Sequence, residues 1–321
     1  MSTPAILLLA HGTPDTLGEM AEYLSNVTGG RQLPQEVVEE LQHRYSLIGL
    51  GETPGAEPPH LTRWTLLQGK LLEEALGAKV YVGMRNWSPY IADIIAQMRA
   101  DGVTSFKAIC LAPQNSRTSV GLYRKAVLAA AKGMQVEFVA GWAENPDLAE
   151  AFAERLWPVW KAACEEAGRR VPVLFTAHSV PTRTLTSTDG QPPDPYADEA
   201  KRTAQAVAER MAVPGMPPID WHFAFQSQGV AGGPWIGPTV EETLKALKEQ
   251  GEAGVVLQPI GFLCDHVEIL YDIDIAFTET ARELGLRLWR PESLNGSPRL
   301  TAALAAIATG AYVADVDERS L

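Results

Sequence analysis

Short apolar runs alternate with longer amphipathic stretches along almost the whole chain. The apolar runs predict β-strands at residues 5–10, 79–84, 106–111, 136–140, 171–177, 220–226, 254–259 and 286–289. The amphipathic stretches predict helices, among them residues 66–76, 91–100, 149–167 and 195–212. Strands and helices that alternate in this way form parallel sheets covered by helices on both faces. The pattern therefore predicts an α/β fold.

A short internal repeat follows two of the predicted strands. Residues 9–14 and 176–181 both end in Ala, His, two small residues and Pro, and His11 and His178 lie about half the chain apart. A duplicated unit would give two similar Rossmann-like domains, each a parallel sheet flanked by helices, at residues 1–150 and 151–298. Each histidine would then lie at the carboxyl edge of its sheet, where such folds bind ligands. We therefore predict that the active cleft lies between the two domains.

The end of the chain, residues 299–321, is predicted to form a closing helix and a tail that pack back on the first domain. The apolar tract at residues 300–313 is rich in Ala, contains Gly310 and is shorter than a bilayer span. We interpret it as a buried helix, and we expect no transmembrane segment.

Residues 259–274 read P-I-G-F-L-C-D-H-V-E-I-L-Y-D-I-D and follow the predicted strand at 254–259. A turn at Gly261 leads to a predicted helix that Asp265 caps. Glu268 and Asp272 are four residues apart, so both carboxylates would project from one side of this helix. The opposite side is predicted to be apolar and to comprise Leu270, Ile273, Phe277, Ala281 and Leu284.

Composition and charge narrow the class of protein. Hydrophobic residues make up 46% of the 321 residues and charged residues 21%, which is typical of a soluble globular protein. The formal net charge of −12 argues against nucleic acid as a partner, because phosphate-binding surfaces need a basic excess.

Cys110, Cys164 and Cys264 are far apart and form no Cys-x-x-Cys pair. No disulfide framework is available, so a reducing compartment is expected. The first apolar run lacks a basic leader and is cut short by His11, which predicts a strand instead of a signal peptide. We therefore expect a cytoplasmic protein.

Several common chemistries lack their motifs in this chain. Neither predicted first strand is followed by G-x-G-x-x-G, and neither a Walker loop nor a G-x-S-x-G elbow is present. The remaining candidates are imidazole and carboxylate groups, which suit a divalent transition metal such as ferrous iron. No closely spaced ligand motif indicates a permanent site, so we expect a metal that passes through and no permanently bound cofactor.

Several segments together resemble the ferrochelatase family. The most specific is the run at 259–274, which is similar to the family pattern P-[IV]-G-F-x-x-D-H-x-E-x-L. Further similarities are F-T-A-H-S-V-P at residues 175–181, D-P-Y at 194–196, Q-S-Q-G at 226–229, P-W-I-G-P at 234–238 and V-G-M-R-N-W at 82–87. They occur in the family order over nearly the whole chain.

The resemblance implies insertion of Fe²⁺, as a substrate, into a free-base porphyrin during haem biosynthesis. His178 and Glu268 match the family's paired catalytic and metal-binding residues, and Asp272 is expected to extend the metal path. His11 stands where soluble Gram-positive-type relatives carry Tyr near the metal. The residues expected to bind the porphyrin are His11, Arg31, Arg44, Tyr123 and Trp235. No C-terminal cysteine cluster is present, so no iron–sulfur cluster is expected.

Similarity to the soluble Gram-positive type favours coproporphyrin III, giving coprohaem, over protoporphyrin IX, and a later haem-pathway enzyme could receive the product. Two other functions stay open at the level of sequence. One is a cobalt or nickel chelatase that acts on a corrin precursor. The other is a non-catalytic haem or porphyrin carrier in which His11 is a permanent ligand.

Overall fold

The computed structural model describes residues 5–186, 192–228 and 233–316. Its first sheet contains β1 (Ala5–Ala10), β2 (Val80–Met84), β3 (Ser105–Cys110), β4 (Gln135–Gly141) and β9 (Asp315–Val316) in the order β2-β1-β3-β4-β9. The first four strands are parallel, and β9 pairs antiparallel with β4.

The second sheet contains β5 (Val173–His178), β6 (Trp221–Gln226), β7 (Gly254–Pro259) and β8 (Arg287–Trp289) in the order β6-β5-β7-β8, all parallel. This order repeats that of the first four strands. Two four-stranded parallel sheets flanked by helices confirm the predicted fold class. All eight predicted strands lie within two residues of observed ones.

The helices connect the strands and cover both sheets. They are α1 (Met20–Val27), α2 (Gln35–Leu47), α3 (His60–Leu76), α4 (Ile91–Ala100), α5 (Val120–Ala130), α6 (Pro146–Ala167), α7 (Tyr196–Arg210), α8 (Val240–Glu249), α9 (Val267–Leu270), α10 (Thr278–Glu283) and α11 (Pro298–Thr309). Short 3₁₀ turns lie at Leu17–Glu19 and Thr182–Leu185, and a π-helix lies at Asp272–Phe277. No helix of the described residues is both long and apolar enough to span a membrane.

The loops that follow the second strand of each sheet share one detail. The Pro89 carbonyl accepts a hydrogen bond from Met84 N–H at 2.7 Å, and the Pro238 carbonyl accepts one from Phe225 N–H at 2.8 Å. Both prolines follow a cis peptide bond. The repeat therefore extends beyond the histidine segments into the backbone of these loops.

One hydrophobic core connects the two sheets. It contains Ile6 and Leu8 of β1, Val173 and Phe175 of β5, and the inner faces of α6, α7 and α11. The 22-residue α6 begins in the first half of the chain and ends in the second; Asn145 caps it by accepting from Asp147 and Leu148 N–H. Position 150, proposed as a domain boundary, lies within α6, and the boundaries remain predictions.

The closing helix α11 contacts both α3 and α6. The ammonium group of Lys107 in β3 donates to the Ile307 carbonyl at 2.9 Å and so binds the end of α11 to the first sheet. The helix ends at Gly310, whose φ of +76° favours glycine, and not at residue 313 as the apolar tract suggested. Residues 1–4 of the first predicted domain and 317–321 of the tail lie outside the described residues.

Candidate active site

His178 is the last residue of β5 and lies at the carboxyl edge of the second sheet. Its Nδ1–H donates a short hydrogen bond to the Ser179 carbonyl, so Nε2 carries the free lone pair. Nε2 lies 3.6 Å from Oε1 of Glu268. The rings of Trp235 and Phe262 stand edge-on to the imidazole. The side chain is 35% exposed, so a ligand in the cleft can reach it.

The Glu268 carboxylate lies between two imidazoles. Its Oε1 faces His178, and its Oε2 lies 3.8 Å from Nε2 of His266. Burial alone would raise the pKa of Glu268, but interactions with His178, His266 and the more distant His11 outweigh it and lower the pKa to about 2. Glu268 is therefore ionised at neutral pH.

His266 was not among the predicted site residues. Its Nδ1 contacts the Cys264 carbonyl at 2.9 Å, which directs Nε2 toward Glu268. Burial would lower the pKa of His266, but the neighbouring Glu268 carboxylate reverses this effect and raises the pKa. The sequence placed His266 two residues before Glu268, within the most specific family segment, and that proximity was the available signal.

The helix that carries Glu268 begins and continues differently from the prediction. His266, and not Asp265, occupies the N-cap position, without a capping hydrogen bond from its side chain. The Asp265 carboxylate instead accepts hydrogen bonds from Ser293 Oγ and Asn295 Nδ2, both at 2.8 Å. These contacts attach the segment before α9 to the segment that precedes α11.

The four-residue α9 passes into the π-helix, in which Ala276 N–H donates to the Tyr271 carbonyl five residues earlier. The predicted apolar side assumed a regular α-helix. The buried positions are Ile269, Ile273, Phe277 and Ala281, while Leu270 and Leu284 are only partly buried. The wider turn explains the difference, because it places residues four apart on one face.

Asp272 is the first residue of the π-helix and lies at the same end of the site as Glu268. It accepts a short hydrogen bond from Ser227 Oγ, and Arg44 Nη1 lies 3.9 Å from Oδ1. Burial raises the pKa of Asp272, and the Glu268 charge adds to that effect, whereas Ser227 and Arg44 oppose it. Arg44 belongs to α2, so this contact joins the two halves of the chain.

His11 is the first residue after β1, and its ring is held by the protein on both sides. Asn86 Nδ2 donates to Nε2 at 2.9 Å, and Nδ1 lies 3.1 Å from the Tyr23 hydroxyl and 3.2 Å from the Gly12 carbonyl. Burial lowers the pKa of His11 to about 4, with a further contribution from Arg85. His11 is therefore a neutral, fixed imidazole.

The other predicted porphyrin contacts have different surroundings. Arg44 forms an ion pair with Glu40 and stacks over the Tyr271 ring at 5.0 Å. Arg31 is exposed, and its guanidinium has no hydrogen bond or ion pair with the residues that the structure describes. Tyr123 is buried in α5 beneath the Arg85 guanidinium. Among the predicted contacts, Trp235 is the one beside His178, with ring centroids 6.5 Å apart.

Comparison with known proteins identifies the family. Residues 3–311 match the family described as Ferrochelatase. The chain belongs to the ferrochelatase family. A relative from Acidobacterium capsulatum named Ferrochelatase is 59% identical over 314 residues, covering 95% of this chain and 93% of the relative.

More distant members of the ferrochelatase family carry a more specific name. A relative from Geobacillus kaustophilus named Coproporphyrin III ferrochelatase is 32% identical and covers 95% of each chain. The solved structure of SirB from Bacillus subtilis with Fe³⁺ has a TM-score of 0.52 at 12% identity, covering 97% of this chain and 99% of that one. That likeness concerns the fold alone.

The sequence did not reveal which residues hold the members of this candidate site in place. Asn86 and Tyr23 fix His11, while Gln226 and Ser227, at the end of β6, contact the segment that carries Glu268 and Asp272. Asn86, Gln226 and Ser227 lie in segments that resemble the family. Nothing in the sequence indicates which residues they contact.

Proposed function

We propose that this member of the ferrochelatase family inserts Fe²⁺ into coproporphyrin III, with His178 and Glu268 at the reacting centre. The observation that carries the proposal is the Glu268 carboxylate held between the imidazoles of His178 and His266. Metallation exchanges two pyrrole protons for one divalent cation. The site therefore needs a proton acceptor and a negative charge near the macrocycle, and this pair supplies both.

His178 is the proposed proton acceptor. Its Nδ1–H is engaged with the Ser179 carbonyl, so only Nε2 can take up a proton. The imidazolium formed there would lie 3.6 Å from a carboxylate that is already ionised, which stabilises the positive charge as it develops. Each of the two pyrrole protons can thus be taken up at Nε2 in turn and held beside the substrate until solvent removes it.

Glu268 and Asp272 are the proposed carboxylates of the metal path. The two acids are one turn apart, and carboxylate oxygens can replace water around a ferrous ion as it approaches. Arg44 and Ser227 both contact the Asp272 carboxylate. One carboxylate oxygen would have to leave these partners to bind the metal. Glu268, ionised and next to His178, is then the last carboxylate before the macrocycle.

The choice of coproporphyrin III rests on the names of the more distant relatives and on the need for cationic partners. Coproporphyrin III carries four carboxylates, each of which favours an arginine at the rim of the cleft. Arg31 and Arg44 are the proposed partners, and Trp235 beside His178 would contact the macrocycle. A reducing, cytoplasmic setting, expected from three unpaired cysteines, would keep the ferrous substrate reduced.

An anaerobic metallation assay tests the proposal. The protein is incubated with Fe²⁺ and either coproporphyrin III or protoporphyrin IX, and the Soret band is followed. We expect faster metallation of coproporphyrin III. Loss of metallation in Glu268→Gln, with metallation retained in Glu279→Gln, would tie the activity to the site. Glu279 is the control because it is an exposed glutamate on α10 that pairs with Arg282.

The same assay separates the other functions. A preference for protoporphyrin IX would overturn the substrate assignment, and metallation of neither porphyrin would overturn the function. Insertion of Co²⁺ or Ni²⁺ into a corrin precursor under those conditions would favour the second type of chelatase. A haem carrier would need a free nitrogen on His11, whereas both nitrogens are engaged within the protein.

A further inference from the structure

Gln226 connects the strand that carries His178 to the helix that carries Glu268. It is the last residue of β6, is 2% exposed and pairs in register with His178 of β5. Its carboxamide oxygen accepts from the Thr176 hydroxyl at 2.7 Å. Its carboxamide nitrogen donates to the main-chain carbonyl of Glu268 at 2.8 Å. The Gln226 carboxamide therefore binds both the strand that ends in His178 and the main chain of Glu268.

The helix that carries Glu268 depends on such outside contacts. α9 is the first turn of a helical segment that continues through the π-helix into α10, and the N–H groups of a first turn have no partner within the helix. Ile269 packs into the core on one side, and Gln226 binds the main chain of Glu268 itself. The contact with Gln226 therefore restrains the backbone from which the catalytic carboxylate projects.

The next residue extends the same connection to Asp272. Ser227 adopts a φ of +59°, a left-handed conformation that is unfavourable for residues with a Cβ. In this conformation its Oγ donates to the Asp272 carboxylate, and Gln226 Nε2 lies 3.4 Å from the same Oγ. Gln226 thus holds the backbone of Glu268, and Ser227 holds the side chain of Asp272.

We propose that Gln226 is a positioning residue that sets the distance between the Glu268 carboxylate and the His178 imidazole. This inference rests on the proposed function and specifies how its reacting pair is held. Removal of the carboxamide would leave the buried Thr176 hydroxyl and the Glu268 carbonyl without this partner, so α9 would shift to find another. A displacement of about 1 Å at a reacting centre costs on the order of a hundredfold in rate.

Gln226→Met tests the inference because methionine keeps the length of the side chain but cannot form either hydrogen bond. The matched control is Gln258→Met, since Gln258 is 0% exposed on β7, the other neighbour of β5. Within the described part of the chain its carboxamide nitrogen donates only to the Pro259 carbonyl. We expect Gln226→Met to lower kcat for porphyrin metallation by about tenfold to a hundredfold, with KM changed less than about threefold. Gln258→Met should retain kcat.

Thr176→Val provides an independent route if Gln226→Met does not fold. It removes only the hydroxyl that holds the Gln226 oxygen, and it should lower kcat in the same direction, while Thr176→Ser should restore it. Full kcat in Thr176→Val, or equal losses in Gln226→Met and Gln258→Met, would overturn the inference. Failure of the wild-type protein to metallate would instead overturn the proposed function, and a crystal structure of Gln226→Met showing α9 unmoved would separately overturn the positioning role.

Discussion

His11 and His178 lie at the carboxyl ends of β1 and β5, which occupy equivalent positions in the two sheets. Their surroundings nevertheless differ. His11 has both nitrogens occupied by the protein and a pKa lowered by burial to about 4. His178 uses only Nδ1 for its local hydrogen bond and presents Nε2 to Glu268. A repeated strand end therefore provides one fixed neutral imidazole and one imidazole that is free to react.

The loops that follow the third strand of each sheet also differ. In the first half this loop contacts the second half: Gln114 Nε2 donates to the Ile260 carbonyl, and Asn115 N–H donates to Glu199. In the second half the corresponding loop leads into α9 and carries Glu268. The loop after β7 therefore places a carboxylate beside His178, whereas the side chains that occupy His11 come from α1 and from the loop after β2.

Matched substitutions in the two halves should give the largest effect. We expect His178→Ala to lower the metallation rate on the order of a hundredfold to ten-thousandfold, as loss of a general base does. His11→Ala should reduce the rate much less but destabilise the fold by about 1–3 kcal/mol, because Asn86 and Tyr23 lose a buried partner. Steady-state rates and denaturant unfolding of both variants measure these outcomes, and equal losses of rate would contradict the distinction.

The two halves should also respond to acid in different pH windows. The folded pKa of His11, about 4, lies below its ordinary 6.5, so the unfolded chain binds the proton first, and stability falls as the pH decreases from 6.5 to 4. The resulting loss in the free energy of unfolding is about 3 kcal/mol at most. For Glu268, with a folded pKa of about 2 against an ordinary 4.5, the contribution is complete above 4.5 and is lost as the pH falls to 2.

His11→Gln should remove the upper of these two windows and leave the lower one. Urea unfolding near pH 7 and near pH 4.5 measures the difference, with the wild-type protein as reference. An unchanged dependence on pH in His11→Gln would show that another group titrates in this range.

Arg85→Leu should give the smallest effect, a change in the pKa of His11. Removal of the guanidinium should raise this pKa above 4, but the value should stay below 6.5, because burial is the larger cause and is left in place. Imidazole NMR signals followed against pH measure it. Arg63→Leu is the control, since Arg63 also stacks on an aromatic ring, that of Trp64, and does not contribute to the pKa of His11.

Much of the fold could be predicted because its signal is local. Each strand is a short apolar run between polar segments, and the two histidine segments revealed the repeated sheet. The two-residue strand β9 lacked such a signal: its pairing with β4 joins residues far apart in sequence. The π-helix was missed for a related reason, since a regular period of 3.6 residues was assumed through Asp272.

The principal residues of the site were predictable from the sequence, but the residues that hydrogen-bond to them were not. The family resemblance singled out His178 and Glu268, and the structure brings their side chains to 3.6 Å. Their assigned roles remain predictions. The contacts of Gln226 with Glu268 and of Asn86 with His11 join residues 42 and 75 positions apart, which no local pattern encodes. Arg44 was expected at a substrate carboxylate and contacts Asp272, a partner that only the folded chain brings near.

The shared core has a consequence for how the two halves unfold. Ile6 of the first sheet, Phe175 of the second and Leu304 of α11 belong to one continuous cluster, and α6 runs through it from one half into the other. Unfolding of either half would expose apolar surface of its counterpart to water, which costs free energy in both halves. We therefore expect a core substitution in one half to destabilise the other half as well.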